Sequence, residues 1–365
     1  MGKKRIGILT GGGDCPGLNA VIRGVTKTAI GKYGMEVIGF FDGFEGLIEE
    51  RFKILRQEDV SGILNQGGTI LGTSNTANPF AWGIGQGEKR QLVDVSDKCM
   101  ALYQDLGLDA LICVGGDGTM TIGGKLTEKG ANIVGVPKTI DNDLMETELT
   151  FGFDSARLAA TDAVDRLHTT GQSHHRVMLV EVMGRNAGWL ALESGIAGGG
   201  DVILLPEIPY DIEEVISVVR KRSRFGKRFS LVVVAEGCKP RGGEQVVKKM
   251  VKDASEPRRL GGISHQIAAQ IEERTNIECR VTILGHLQRG GTPTPFDRLL
   301  ATQFSVKAME LVEENTFNHM VALQGNRLVA VPVEKVMDKQ RTVPLDSPLI
   351  KAGLAVGASF GVKMD

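Results

Sequence analysis

The apolar positions of this chain fall mostly in short unbroken runs. The runs are Arg5–Leu9, Glu36–Phe40, Ala110–Val114, Asn132–Val136, Val177–Val182, Val202–Leu205, Leu231–Val234 and Val281–Leu284, and each stops at Gly or a polar turn. An uninterrupted β-branched run of this length suits a strand covered on both faces. Between the runs the spacing becomes that of a helix with one apolar face, as in Ala20–Lys32, Ala156–Leu167, Ile212–Lys221 and Ser264–Arg274. Alternation of the two patterns predicts an α/β protein with parallel sheets. Ligands bind outside the carboxyl ends of strands in such sheets, and the loops that follow these runs carry the unusual residues. Two polar segments, Asn75–Asp97 and Lys239–Val251, predict exposed insertions.

Length changes the picture from one domain to two: 365 residues at about 100–200 per domain. Apolar residues at 42% and charged residues at 24% are ordinary for a globular protein. A net charge of −1, from 43 Lys and Arg against 44 Asp and Glu, lacks the basic excess of a nucleic-acid binder. Five cysteines without a CxxC pair argue against a zinc site or a disulfide framework and for reduced thiols in the cytoplasm. No apolar run reaches membrane-spanning length, and the amino-terminal apolar run is too short for a secretion signal. Glycine is the anomaly: 48 residues imply many tight turns or close backbone approaches to a ligand.

Five segments carry chemistry. GGGDCPGLNAVIRG (Gly11–Gly24) follows a strand and is expected to open a helix, where backbone N–H groups form an anion site; a structural turn is the plain alternative. GGDGT (Gly115–Thr119) places Asp117 among glycines at a strand end, suited to Mg²⁺ with phosphates, or to a simple turn. PKTIDND (Pro137–Asp143) sets Asp141 and Asp143 two apart in what is expected to be an extended loop, one for a hydroxyl proton and one for a metal, with Thr139 as a hydrogen-bonding partner. EVMGRNAG (Glu181–Gly188) and RVTILGHLQRGG (Arg280–Gly291) place Arg185, Arg280 and Arg289 beside glycines, as planar forks for phosphate oxygens. His286 suits a phosphate contact or a plain surface position, Glu236 suits sugar hydroxyls, and Arg176 precedes the strand leading to Arg185. Together these segments describe magnesium-dependent phosphoryl transfer onto an acceptor that itself carries an anion.

The ordered set GGDCPGLN, GGDGT, PKTIDND, MGR and HLQRGGTPTPFDR resembles the phosphofructokinase family over nearly the whole chain. The resemblance implies two similar domains, each a mostly parallel sheet flanked by helices. Residues 1–152 plus 288–340 would bind the phosphoryl donor, and 153–287 plus 341–365 would bind fructose 6-phosphate. It implies Mg²⁺-dependent phosphorylation of the sugar 1-hydroxyl, the committed step of glycolysis. Carried over by motif, Asp141 is the base, with Lys138, Thr139 and Asp143 in the same loop. Gly12, Gly13, Gly116, Gly118 and Thr119 belong to the donor site, and Asp117 to the metal. Arg185 steadies the transferring phosphoryl, and Met183 and Gly184 line the sugar. Glu236, His286 and Arg289 contact the sugar phosphate. Arg176 and Arg280 resemble arginines lent by a neighbouring subunit. That implies a homo-oligomer, dimer or tetramer, with shared active sites and no nucleic-acid or membrane partner.

Within the family the donor is ATP or pyrophosphate. Gly118 is the ATP-type residue, because its missing side chain leaves room for the α-phosphate and ribose, and this decides the expectation for ATP. Lys138, Asn75, Phe44 and Ile122 depart from the simplest ATP pattern and keep pyrophosphate as the alternative. A catalytically silent regulatory subunit is a third reading, opposed by the intact set Asp117, Thr139, Asp141, Arg185 and Arg289. Arg23, Gln57, Asp201 and the Lys221–Arg228 stretch are candidates for an effector site; a solvated charged face is the plain alternative.

Overall fold

The computed structural model describes residues 3–85, 91–224, 228–250 and 258–363. The described strands are β1 (Arg5–Thr10), β2 (Glu36–Phe40), β3 (Phe52–Leu55), β4 (Trp82–Ile84), β5 (Gln91–Val93), β6 (Ala110–Gly115), β7 (Ile133–Thr139), β8 (Phe151–Gly152), β9 (Val177–Val182), β10 (Val202–Leu204), β11 (Ser230–Ala235), β12 (Val247–Met250), β13 (Arg258–Leu260), β14 (Cys279–Ile283), β15 (His319–Gln324) and β16 (Arg327–Pro332). The helices are α1 (Leu18–Lys32), α2 (Phe44–Ile48), α3 (Ser96–Asp105), α4 (Asp117–Thr127), α5 (Phe153–His174), α6 (Trp189–Ala197), α7 (Ile212–Arg224), α8 (Ile263–Thr275), α9 (Pro295–Glu313) and α10 (Pro348–Ala355).

The larger sheet has the order β16-β15-β7-β6-β1-β2-β3, with β8 paired to β7. The smaller has the order β10-β11-β9-β14 and is parallel throughout. β6, β9 and β11 are buried at every position, as expected for strands with helices on both faces. The larger sheet departs from the all-parallel expectation at its two edges, where β3 pairs with β2 and β16 with β15 antiparallel. Those edge strands follow their neighbours by short connections, which only an antiparallel pair allows.

Strand order reverses between β1 and β6: the chain leaves β1 toward β2 and returns on the other side of β1 at β6. A crevice opens at the carboxyl ends of strands at such a point. Gly11–Gly13 and Gly116–Asp117 lie there, directly after β1 and β6. In the smaller sheet the carboxyl ends of β9 and β11 carry Met183–Arg185 and Glu236.

The two expected insertions are partly ordered. Within the first, β4 and β5 form a hairpin, with 86–90 outside the described residues. Within the second, Val247–Met250 is a strand paired to β13 rather than loop, and Val251 lies outside the described residues. α9 starts at Pro295, with the Thr294 hydroxyl accepting from the Asp297 N–H at 3.2 Å; Ser347 caps α10 before Pro348 in the same way. All five cysteines are buried and free. No described helix is long and apolar enough to cross a membrane.

Candidate active site

The donor-side floor is built from glycine because backbone and side chains close onto it. Gly12 has φ +78°, a conformation glycine adopts without strain, and its carbonyl accepts from the Thr73 hydroxyl at 2.5 Å. A Cβ on Gly13 would sit 2.6 Å from Arg289 Nη1, so Arg289 lies across the loop, and its Nη1 donates to the Asp14 carbonyl at 2.9 Å. Lys138 Nζ donates to the Gly13 carbonyl. The segment Gly11–Gly24 follows β1 and opens a helix as expected, with α1 starting at Leu18 after Gly17 at φ +109°, so the glycines Gly11–Gly13 lie several residues ahead of the helix start. The Gly11 and Gly12 amides are held by the Val114 and Ser74 carbonyls. The helix start at the crevice belongs to α4, which begins at Asp117 itself.

Asp117 Oδ1 accepts from the Gly118 N–H at 2.7 Å, and its Oδ2 has no partner among the described residues. A Cβ on Gly118 would meet nothing within 4 Å, so the side chain missing there faces open space. Thr119 points the other way. It is buried under Gly11 and Gly115, where added Cβ atoms would lie 2.7 and 2.1 Å from its hydroxyl.

The TIDND segment starts on β7, at Thr139, and bends at Ile140 and Asp141 before running on without regular structure. Asn142 has φ 52°, the left-handed region that asparagine tolerates best after glycine, and sits between Asp141 and Asp143. Its side chain closes the loop, accepting from Thr150 N at 3.1 Å and donating to the Glu148 carbonyl at 3.3 Å. Thr139 Oγ1 accepts from Asp141 N at 3.0 Å. Asp141 Oδ1 is buried and has no hydrogen-bond partner among the described residues.

Burial raises the proton affinity of Asp141, while Arg289, Arg185 and Lys138 draw it back down. Burial, and then the charge of Asp141, pushes Asp143 up to about 7. Glu236 is also pushed up to about 7, by burial first and Asp141 second, and its Oε1 accepts from the Arg185 N–H at 3.4 Å. Lys138 is fully buried, and desolvation lowers its pKa. Three carboxyls and three cations therefore share one poorly solvated cleft between the sheets.

Gly184 (φ +128°) and Arg185 (φ 50°) turn the chain sharply after β9. Gly237 accommodates that turn: a Cβ there would sit 1.7 Å from the Arg185 carbonyl. Met183 is half-buried at the same strand end, and His286 is exposed on the short turn Gly285–Gln288. Arg176 and Arg280 are not brought into this cleft. They flank the amino ends of β9 and β14, both bonded to Glu278, so Arg280 is not at a strand end facing the site as expected. Of the effector candidates, Asp201 pairs with Arg222 at 2.6 Å, and residues 225–227 lie outside the described residues.

Two residues without a motif also reach the site. Arg341 Nη1 donates to the Asn142 carbonyl at 2.9 Å, its backbone N–H to the Asp143 carbonyl at 2.7 Å, and its guanidinium lies 4.2 Å from the Trp189 ring centre. The sequence signals available for them were weak: one Arg in a polar tail and one of only two tryptophans.

A glycine loop at a switch point, a carboxylate at a helix start, and a buried carboxyl near two arginines and a lysine are the kinds of group that phosphoryl transfer uses. The sequence profile of the phosphofructokinase family matches residues 5–312. ATP-dependent 6-phosphofructokinase 2 of Clostridium perfringens (strain 13 / Type A) is 53% identical over 360 residues, covering 98% of each chain. ATP-dependent 6-phosphofructokinase 1 of Synechocystis sp. is 49% identical, again over 98% of each chain. Among solved structures, Pichia pastoris phosphofructokinase in the T-state superposes with TM-score 0.78 at 32% identity, covering 92% of this chain and 38% of that one. Pyrophosphate-dependent phosphofructokinase from Nitrosospira multiformis gives TM-score 0.81 at 18% identity over 98% and 92%, a likeness of fold. The chain belongs to the phosphofructokinase family.

Proposed function

We infer that this chain is an ATP-dependent 6-phosphofructokinase of glycolysis, converting ATP and fructose 6-phosphate to ADP and fructose 1,6-bisphosphate. The observation that carries it is the buried Asp141 carboxylate, unpartnered at Oδ1 and ringed by Arg289, Arg185 and Lys138, opposite the glycine loop. The relatives with about half their residues identical are ATP-dependent, and the open space at Gly118 fits a nucleotide. Lys138 is consistent with that donor because it is tied back to Gly13.

Asp141 takes the proton of the sugar 1-hydroxyl; its raised proton affinity brings it nearer the working pH, where a general base is most effective. Arg185 and Arg289 neutralise charge on the transferring phosphoryl, and Thr139 holds the base loop. Asp117 fits Mg²⁺: it presents one oxygen to the cleft, and the described residues hold no cluster of three or more metal-ligating side chains, so phosphate oxygens and water would complete the shell. When bound, Mg²⁺ neutralises charge between the donor phosphates. Residues 1–152 plus 288–340 form the donor domain, and 153–287 plus 341–365 the sugar-phosphate domain, a division supported by the two sheets. The enzyme works in the cytoplasm as a homo-oligomer in which Arg176 and Arg280 serve a neighbouring chain's 6-phosphate.

The test is fructose 1,6-bisphosphate formation by the purified protein with Mg²⁺ and either ATP or pyrophosphate. Turnover with ATP is expected, reduced at least ~10²-fold by Asp141→Ser. Turnover with pyrophosphate alone would overturn the donor, and undiminished turnover in folded Asp141→Ser would overturn the base.

A further inference from the structure

The cleft draws residues from the TIDND loop and the MGR loop, which belong to different sheets. A phosphoryl transfer in line between them needs those loops held in fixed register. The segment 340–343 crosses both. On one side Arg341 reaches the base loop through two carbonyls, Asn142 at 2.9 Å and Asp143 at 2.7 Å. On the other side Trp189 Nε1 donates to the Arg341 carbonyl at 3.1 Å, with the guanidinium stacked on the indole face. Gln340 accepts from Asn186 at 3.3 Å, and Asn186 in turn accepts from Gln245 at 3.1 Å. A single oxygen, Glu207 Oε1, accepts from both Gly188 N at 2.9 Å and Val343 N at 2.8 Å.

We propose that Arg341 is a positioning residue that locks the base-bearing turn of Asp141–Asp143 to the sugar loop of Arg185–Trp189. The inference rests on the phosphofructokinase reading. Its physical basis is the conformation of Asn142. Asn142 holds the left-handed region between two buried carboxylates, a conformation that persists only where the surroundings over-determine it. The Asn142 side chain fixes the turn from within, and the charge-assisted bond from Arg341 fixes its carbonyl from outside. Stacking on Trp189 restricts the guanidinium to the plane from which that bond is made. Arg341 touches neither reacting atom; it acts through Asn142.

Kinetics of Arg341→Met and Arg341→Lys in the native background test this, beside the native enzyme. Arg341→Met is expected to lower kcat by about 10–100-fold, the scale of a small misplacement of a catalytic group, with the KM for ATP within about twofold. Arg341→Lys keeps a charge and one donor and is expected to recover part of that loss. In a Trp82→Phe background Trp189 is the sole tryptophan, and its emission should change when fructose 6-phosphate binds. Arg341→Met should abolish that change while the sugar phosphate still binds by calorimetry. A kcat within twofold of native in folded Arg341→Met, or a loss confined to KM, would overturn the proposal. If Arg341→Met does not fold, Arg341→Lys decides: a lowered kcat with KM for ATP unchanged supports the proposal, and a kcat equal to native overturns it. Absence of turnover in a native enzyme that still binds fructose 6-phosphate by calorimetry would instead fail the phosphofructokinase reading, and the emission experiment would then still report the lock.

Discussion

Asp143 and Glu236 are both held near 7, against ordinary values of 3.8 and 4.5, and in both burial is the largest cause. A carboxyl whose folded pKa is raised binds its proton more tightly when folded. Its favourable share of stability is therefore complete below about pH 4 and is lost as pH rises through about 7. The cleft thus works against the fold at the pH where its charge is useful, a common trade at active sites. Asp143→Asn keeps the shape and removes the titration. Its Tm should exceed that of the native protein by a few degrees at pH 8, with a smaller difference at pH 5, while activity falls. Calorimetry at the two pH values checks this, and an identical dependence in both proteins would remove Asp143 from the account.

At the scale of elements, α5 and α9 meet through their first turns. Asp297 Oδ2 accepts from Ser155 N at 2.8 Å and Ser155 Oγ at 2.6 Å, and Thr294 Oγ1 donates to Asp154 at 2.6 Å. Asp297 is fully buried, and its Oδ1 has no hydrogen-bond partner among the described residues. Ser155→Ala removes one of the few donors to a buried carboxyl, which costs about 1–3 kcal/mol. Urea denaturation of the variant should show that loss without a change in slope; no loss would mean Asp297 is satisfied in another way. The junction was not legible in sequence, because it joins residues more than a hundred positions apart. The strands were legible where they are buried on both faces: β2 and β9 match the apolar runs residue for residue. The hairpin β15–β16 escaped, although Met320–Leu323 and Leu328–Val331 are unbroken apolar runs; they are short, and β16 is only partly buried. Its turn residues Gly325 and Asn326, at φ 54° and 63°, were the available signal. α6 also escaped: eight of its nine residues are small or apolar, with Glu193 the exception, which gives no single face for periodicity to detect.

In the whole molecule, legibility follows chemistry rather than position. Asp117, Asp141, Arg185 and Arg289 lie in short motifs, and each is at the cleft. The turn at Asn142 and the crossing of Arg341 arise from packing between distant segments, which spacing does not encode. Arg176 and Arg280 are the informative exception. The motifs group them with the site, yet they lie at the amino ends of β9 and β14, while Arg185 follows the carboxyl end of β9. A six-residue strand is about 20 Å long, too far for an arginine to reach back to its own cleft. If they serve a phosphate, it is in another chain, and under the proposed function a site would contain Asp141 from one subunit and Arg280 from its neighbour. In a two-fold pair that arrangement is reciprocal. Chains bearing Asp141→Ser alone and Arg280→Ala alone should each be nearly inactive. Hybrids of the two should regain activity, because one of the two sites then carries both substitutions and the other carries neither. Co-expression with two affinity tags isolates the hybrid for assay. Recovery would establish shared sites, and a hybrid no more active than its parents would mean that each chain completes its own site without Arg280.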